Sequence, residues 1–170
     1  NINDTTGSTI FIGADAGMHT VNGGSNLFLG RFAGYNNTSG HNNIYLGSGT
    51  GGQSISGYEN VFVGDNAGDV NISGYGNVAL RTSAMGGNTL IGGPRLGNDS
   101  MNVAIGLDAG LNVGGNRNIM IGHAAGYTIE NDGNVLIGDN SGLTANTGWG
   151  NVFLGENSGK YVFDGYANTF

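Results

Sequence analysis

A short phrase that returns at near-constant spacing constrains this chain more than any other feature. Its cleanest copy is Asn60-Val61-Phe62-Val63-Gly64-Asp65-Asn66-Ala67-Gly68. It opens with Asn, runs aliphatic, bulky, aliphatic, and breaks at Gly. Two variable residues, a small residue and a second Gly follow. The opening Asn residues stand at 26, 43, 60, 77, 88, 102, 118, 134, 151 and 168, spaced by 17, 17, 17, 11, 14, 16, 16, 17 and 17. An earlier copy, Thr9-Ile10-Phe11-Ile12-Gly13, lacks the Asn and follows a polar lead. Self-similarity of this kind means stacked coils, each too small to bury its own apolar face, and not a globular enzyme core.

Within each phrase the alternation has period two, which is the pattern of a strand. Glycine supplies 36 of 170 residues. Scattered, so much glycine would signal disorder. Held at fixed offsets from aliphatic triplets, it reads as corner residues in backbone conformations that other residues avoid. The expectation is an all-β chain, residues 1–170 forming one parallel β-roll (a β-solenoid) of about ten short coils. Coils stacked about 4.8 Å apart would make a rod about 50 Å long. The rhythm fails at about 81–98, where Arg81 replaces the corner Gly and the single proline, Pro94, occurs. Arg81 is placed to reach a carboxylate such as Asp65, one repeat earlier in nearly the same phase.

The second and fourth positions, such as Val61 and Val63, are almost purely aliphatic and are expected to line the interior. The third position then points outward: Phe11, Phe28, Tyr45, Phe62, Leu90, Met120, Leu136, Phe153 and Phe170. Soluble monomers avoid so long an apolar row, and a strand apolar on both faces is usually covered on both. This row is therefore expected to be the oligomer interface. The small residue three places after the corner Gly (Ala16, Ala33, Thr50, Ala67, Ala84, Ala109, Ala125, Ser141, Ser158) is expected to face a narrow interior. The leading Asn side chains should form a hydrogen-bonded ladder along the axis.

Composition excludes several classes of function. The net charge is -7, and the cations are only Arg31, Arg81, Arg95, Arg117 and Lys160. No basic stripe exists to hold nucleic acid or an anionic membrane surface. There is no cysteine, hence no disulfide and no thiolate metal site. No apolar run approaches the roughly 20 residues needed to cross a bilayer. His19, His41 and His123 occupy unrelated phases, without metal-ligand spacing. Asp15, Asp65, Asp108, Asp139 and Glu156 follow corner glycines singly, where a calcium site needs converging oxygens. Gly86-Gly87-Asn88 lacks the lysine and hydroxyl of a phosphate loop. No nucleophile, base and orienting group can be assembled, so the chain reads as no enzyme, with no cofactor and no metal.

One more position recurs. Two residues before the leading Asn stand His41, Tyr58, Tyr75, Trp149 and Tyr166, each preceded by Gly. Stacked coils would run these rings up one edge, interrupted in the irregular middle. A packing role is the favoured expectation for them, either as a ladder between subunits or as ring stacking that stiffens the corner; a row of rings offered to a glycan or surface protein is the alternative.

The phrase resembles the head repeats of YadA-like trimeric autotransporter adhesins, most closely at Met101-Asn102-Val103-Ala104-Ile105-Gly106-Leu107-Asp108-Ala109. Related Asn/Gly-rich repeats occur in bacteriophage fibres. The resemblance covers about Thr9 to Phe170 and implies a left-handed roll, three chains side by side, and an extracellular, cell-surface or virion-fibre location. Repeats in that family are generally shorter, and this chain shows neither a heptad stalk nor an anchor barrel. The expected function is a structural and adhesive surface module, a rigid rod displaying loops to a host-surface protein or glycan. The alternative is a subunit of a self-assembling filament, stacked head to tail without a specific ligand. Neither end carries a capping pattern, so more protein is expected to cover the face at Asn168-Thr169-Phe170.

Overall fold

A computed structural model describes residues 8–80, 100–144, 148–162 and 165–170. Among these residues there are eleven short strands and no helix. They are β1 (Ile10–Ile12), β2 (Leu27–Leu29), β3 (Ile44–Leu46), β4 (Val61–Val63), β5 (Val78–Leu80), β6 (Val103–Ile105), β7 (Asn112–Val113), β8 (Ile119–Ile121), β9 (Thr128–Ile129), β10 (Val135–Ile137) and β11 (Val152–Leu154). Nine of them form one parallel sheet in the order β1-β2-β3-β4-β5-β6-β8-β10-β11, and β7 pairs with β9 in a second. Each phrase pairs with the next in register, Phe28 with Tyr45, Tyr45 with Phe62 and Leu136 with Phe153. The fold is an all-β parallel β-solenoid.

β5 pairs directly with β6, Val78 opposite Val103. The phrase at Asn88, with Arg81, Ala84, Leu90, Pro94 and Arg95, lies outside the described residues. So does the expected contact between Arg81 and Asp65. The last phrase adds only an isolated bridge between Val152 and Thr169. Nine strands at the usual sheet spacing span about 40 Å.

The turns are as tightly stacked as the strands. The corner Gly122 has φ 130°, and a Cβ on it would lie 2.5 Å from the carbonyl oxygen of Gly138 on the next coil. Only glycine permits both the angle and the approach. Loop amides continue the ladder: Gly34 donates to the Thr50 carbonyl at 2.9 Å and Thr38 to that of Ile55 at 2.9 Å.

The core reverses one expectation. Phe28, Tyr45, Phe62, Ala79, Ala104, Met120, Leu136 and Phe153 are all buried within a single chain. The second and fourth positions instead face outward, with Ile10, Ile12, Leu29, Ile44, Ile119, Ile137 and Leu154 exposed. Phe28, Tyr45, Phe62, Met120, Leu136 and Phe153 are therefore core residues and cannot form an oligomer interface. Phe11 is half-buried and stacks on Phe28 at 5.0 Å; Phe170 is exposed and tilts over Phe153 at 5.3 Å. The cause is parity. Period-two alternation puts Asn60 and Phe62 on one face and Val61 and Val63 on the other. The amide ladder needs the dry side, and it takes the ring with it. The chain then folds back directly beneath the ring: a Cβ on Gly51 would lie 2.5 Å from that of Tyr45.

The small positions behave as expected where they are buried: Ala33, Thr50, Ala67, Ala109, Ala125 and Ser141 line the interior. Ala16 and Ser158, towards the ends of the ladder, are half-buried. Eleven residues after the leading Asn, the interior is closed by Asn37, Ser54 and Asn71 in the first coils and by Val113 and Ile129 later. The Tyr45 hydroxyl donates to Ser54 Oγ at 3.0 Å. Burial pushes this phenol well above its ordinary range, the Ser54 hydrogen bond offsetting only part of the effect.

The Asn ladder is present. Asn26, Asn43, Asn60, Asn77, Asn102, Asn118, Asn134 and Asn151 are all buried. Asn43 Oδ1 accepts the Asn60 backbone N–H at 3.0 Å and Asn60 Nδ2 at 3.1 Å, while Asn60 Nδ2 also donates to the Gly74 carbonyl at 2.8 Å. The backbone link recurs from Asn102 to Asn77 and from Asn151 to Asn134. A buried amide left unpartnered costs about 1–3 kcal/mol, which is why no apolar residue substitutes here.

Candidate functional site

The edge two residues before the ladder Asn is positioned by the ladder itself. Gly40 precedes His41, and its carbonyl accepts Asn26 Nδ2 at 2.8 Å and Asn37 Nδ2 at 3.1 Å. The loop is thus tied to the core immediately before the ring. His41 stacks on Tyr58 with centroids 5.0 Å apart and planes 1° from parallel; Tyr58 stacks on Tyr75 at 4.8 Å and 0°. That separation is the strand spacing itself. A strict 17-residue period sets equivalent rings one rung apart, so they cover one another's faces within one chain. Of the two packing roles expected for this row, these three rings take ring stacking from coil to coil. Tyr58, stacked on both sides, offers outward only its edge.

The interruption of the row has its own structure. Ser100, Asn116 and Asp132 occupy the same phase as the rings. Ser100 Oγ accepts the Tyr75 N–H at 3.2 Å, Asn116 Oδ1 accepts that of Ser100 at 2.9 Å, and Asp132 Oδ1 accepts that of Asn116 at 2.8 Å. Sequence reasoning passed over these three because it followed ring chemistry; counting phase alone would have found them. Arg117 Nη2 adds a hydrogen-bonded ion pair to Asp132 Oδ2 at 3.2 Å. The Asn116 backbone N–H, ahead of its side chain and Arg117, holds the Asp132 carboxyl below the usual range, outweighing partial desolvation.

Trp149 differs from the other rings. It tilts 56° from Tyr166 at 5.8 Å, and the two are 61% and 62% exposed. On the other side of Trp149 the row continues with Asp132, whose carboxylate turns back to Asn116 and Arg117 and presents no ring. The position just before the ladder Asn carries Ser25, Asn42, Glu59, Met101 and Arg117 on other coils, all at left-handed φ of 56–60°. Glycine takes it at Gly76, Gly133 and Gly150, at φ 64°, 73° and 76°, and the last two stand here on adjacent coils. A Cβ on Gly150 would meet nothing within 4 Å, and one on Gly133 only the Gly150 nitrogen at 4.0 Å. The result is an open hollow of about 420 Å³ walled by Arg117, Glu130, Asp132 and Trp149 over these two glycines.

Elsewhere, the strand positions that face outward form two aliphatic rows across the nine-stranded sheet, half-buried to exposed throughout. His123 Nδ1 lies 2.9 Å from Asp139 Oδ1, both about half exposed, and His19 meets the edge of Tyr35 at 4.6 Å. Asp65 Oδ1 accepts the Ser48 N–H at 3.1 Å. Among the described residues, no three His, Asp or Glu side chains converge as metal ligands would. Comparison with protein-family models, with curated proteins and with solved structures returned no match.

Proposed function

We propose that this chain is a structural and adhesive surface module: a rigid β-solenoid rod that assembles with copies of itself and displays its loops outside the cell. The observation that carries this reading is the outer face of the nine-stranded sheet. Its two rows are aliphatic from β1 to β11, with Ile10 53%, Ile12 56% and Leu154 55% exposed in the single chain. Soluble monomers rarely present a contiguous apolar patch of more than a few hundred Å². Covering it with equivalent faces of other copies closes the assembly by symmetry. The resemblance to YadA-like head repeats favours three left-handed chains around a common axis, on a cell surface or a virion fibre. The interface residues of this proposal are the second and fourth strand positions, such as Val61, Val63, Ile119 and Ile121, and not the buried third. Repetition along a rod, multiplied by several chains, turns weak loop contacts into avid attachment.

Sedimentation equilibrium together with electron microscopy tests the reading. A discrete multiple of the chain mass, reduced to the monomer by Val63→Lys with Ile121→Lys, is the expected result. A wild-type protein that stays monomeric at micromolar concentration refutes it. Open-ended threads would favour the filament alternative.

A further inference from the structure

We propose that the hollow beside Trp149 is a subsite for one ring of a neutral saccharide. The inference rests on the display reading for its biological sense, but the site lies wholly within one chain.

An indole is expensive to leave in water, and Trp149, the only tryptophan in the chain, stands 61% exposed. Tyr166 leans on it from the following coil, and the row offers no second ring from the preceding one. The remaining surface borders a space kept open by Gly133 and Gly150, glycines on two adjacent coils at a position where Ser25, Asn42, Glu59, Met101 and Arg117 carry side chains. This combination, an apolar platform with a few polar groups gathered round it, is how small-molecule sites are built. The Arg117 guanidinium and the Asp132 carboxylate, already oriented by their mutual hydrogen bond, line the same hollow together with Glu130.

A pyranose has the matching chemistry. One face is a patch of C–H groups whose positive edges suit the negative face of an aromatic ring. Its rim carries hydroxyls, each able to donate to a carboxylate and accept from a guanidinium. Charge narrows the class further. Arg117 against Asp132 and Glu130 leaves the walls one unit negative in a chain of net charge -7. Sialylated, uronic or sulfated sugars would enter against that field, whereas neutral hexoses and N-acetylhexosamines would not. Tyr58 does not offer the same site, because His41 and Tyr75 cover both its faces; His41 and Tyr75 are each covered on one face, but no pair of glycines on adjacent coils stands beside them, where Ser25, Asn42 and Met101 carry side chains.

The single tryptophan makes the test direct. Indole emission of the intact protein is followed during titration with cellotetraose, chitotetraose, mannotetraose, lactose and sialyllactose. A saturable shift in emission is expected with at least one neutral sugar, and sialyllactose should bind more weakly than lactose if lactose is bound. Gly150→Asn fills the hollow with the residue that Asn42 places at the equivalent position, also at left-handed φ (57°); it should weaken binding at least about tenfold, a change of about 1.4 kcal/mol, without lowering the melting temperature. Arg117→Ala, a surface change, should weaken binding several-fold and serves if Gly150→Asn unfolds. No saturable response to any of these sugars overturns the proposal, as does binding that survives both variants. A monomer that binds sugar would refute assembly alone, and an assembled rod that ignores every sugar would refute this site alone.

Discussion

Replacing Phe62 with Ala tests the inward register of the central strand residue most severely. The ring is fully buried and stacks on Tyr45 at 5.0 Å; on its other side the ladder places Ala79. Truncation would join a new void to a stretch already narrowed to Ala79 and Ala104. Collapse is prevented by the rungs above and below, where the Ile44 N–H reaches the Asn60 carbonyl at 2.8 Å and the Val61 N–H that of Asn77 at 2.8 Å. Such aromatic truncations cost about 3–5 kcal/mol, with the larger values where a site cannot close. That is a large share of the 5–15 kcal/mol that typically holds a domain together, as an order of magnitude. The matched control is Val63→Thr on the outward face, expected to cost under about 1 kcal/mol within the coil. Urea denaturation followed by circular dichroism, at several protein concentrations, separates the two. Because repeat arrays can open locally, amide exchange at Val61–Val63 should report the same difference. If Phe62→Ala is as mild as Val63→Thr, or alters assembly mass while leaving stability intact, the inward register is wrong.

Other perturbations follow from the same geometry. Asn60→Ala removes the acceptor of the Asn77 N–H and the donor to the Gly74 carbonyl; a loss of about 1–3 kcal/mol per orphaned group is expected in the same denaturation assay. Gly68→Ala would drive a methyl into the Phe62 ring at φ 60°, and its melting temperature should fall well below that of an alanine placed at an exposed loop position. Tyr45 is held protonated by burial, so its contribution to stability is intact below the unfolded phenol value of about 10 and declines as pH rises past it; Tyr45→Phe should flatten the alkaline limb of the stability profile. Asp132 is shifted the other way, so its small, solvent-screened contribution is present above the unfolded value of about 3.9 and disappears as pH falls through the lower folded value; Asp132→Asn should remove that part of the acid limb.

The sequence by itself determined the architecture. A phrase with strand alternation, fixed glycines and a period of 16 or 17 residues has no other economical solution than stacked parallel coils, because each copy must borrow its neighbour to bury anything. The Asn ladder and the small inward residues were legible for the same reason: they repeat in phase, and stacking turns phase into contact. Which face of the strand turned inward was decided only by the tertiary structure. Both faces are apolar, so hydrophobicity could not rank Phe62 against Val61 and Val63. What ranked them was the need to shelter Asn60 together with a chain return that passes glycine beneath the ring. One signal was available: glycine recurs six residues after the bulky position, as at Gly34, Gly51 and Gly68, and a ring needs so close a backbone only if it points inside. The hollow beside Trp149 was not legible at all. It depends on two glycines in adjacent coils and on a carboxylate turning towards the coil before it, and only the packing of three successive loops brings those facts to one place.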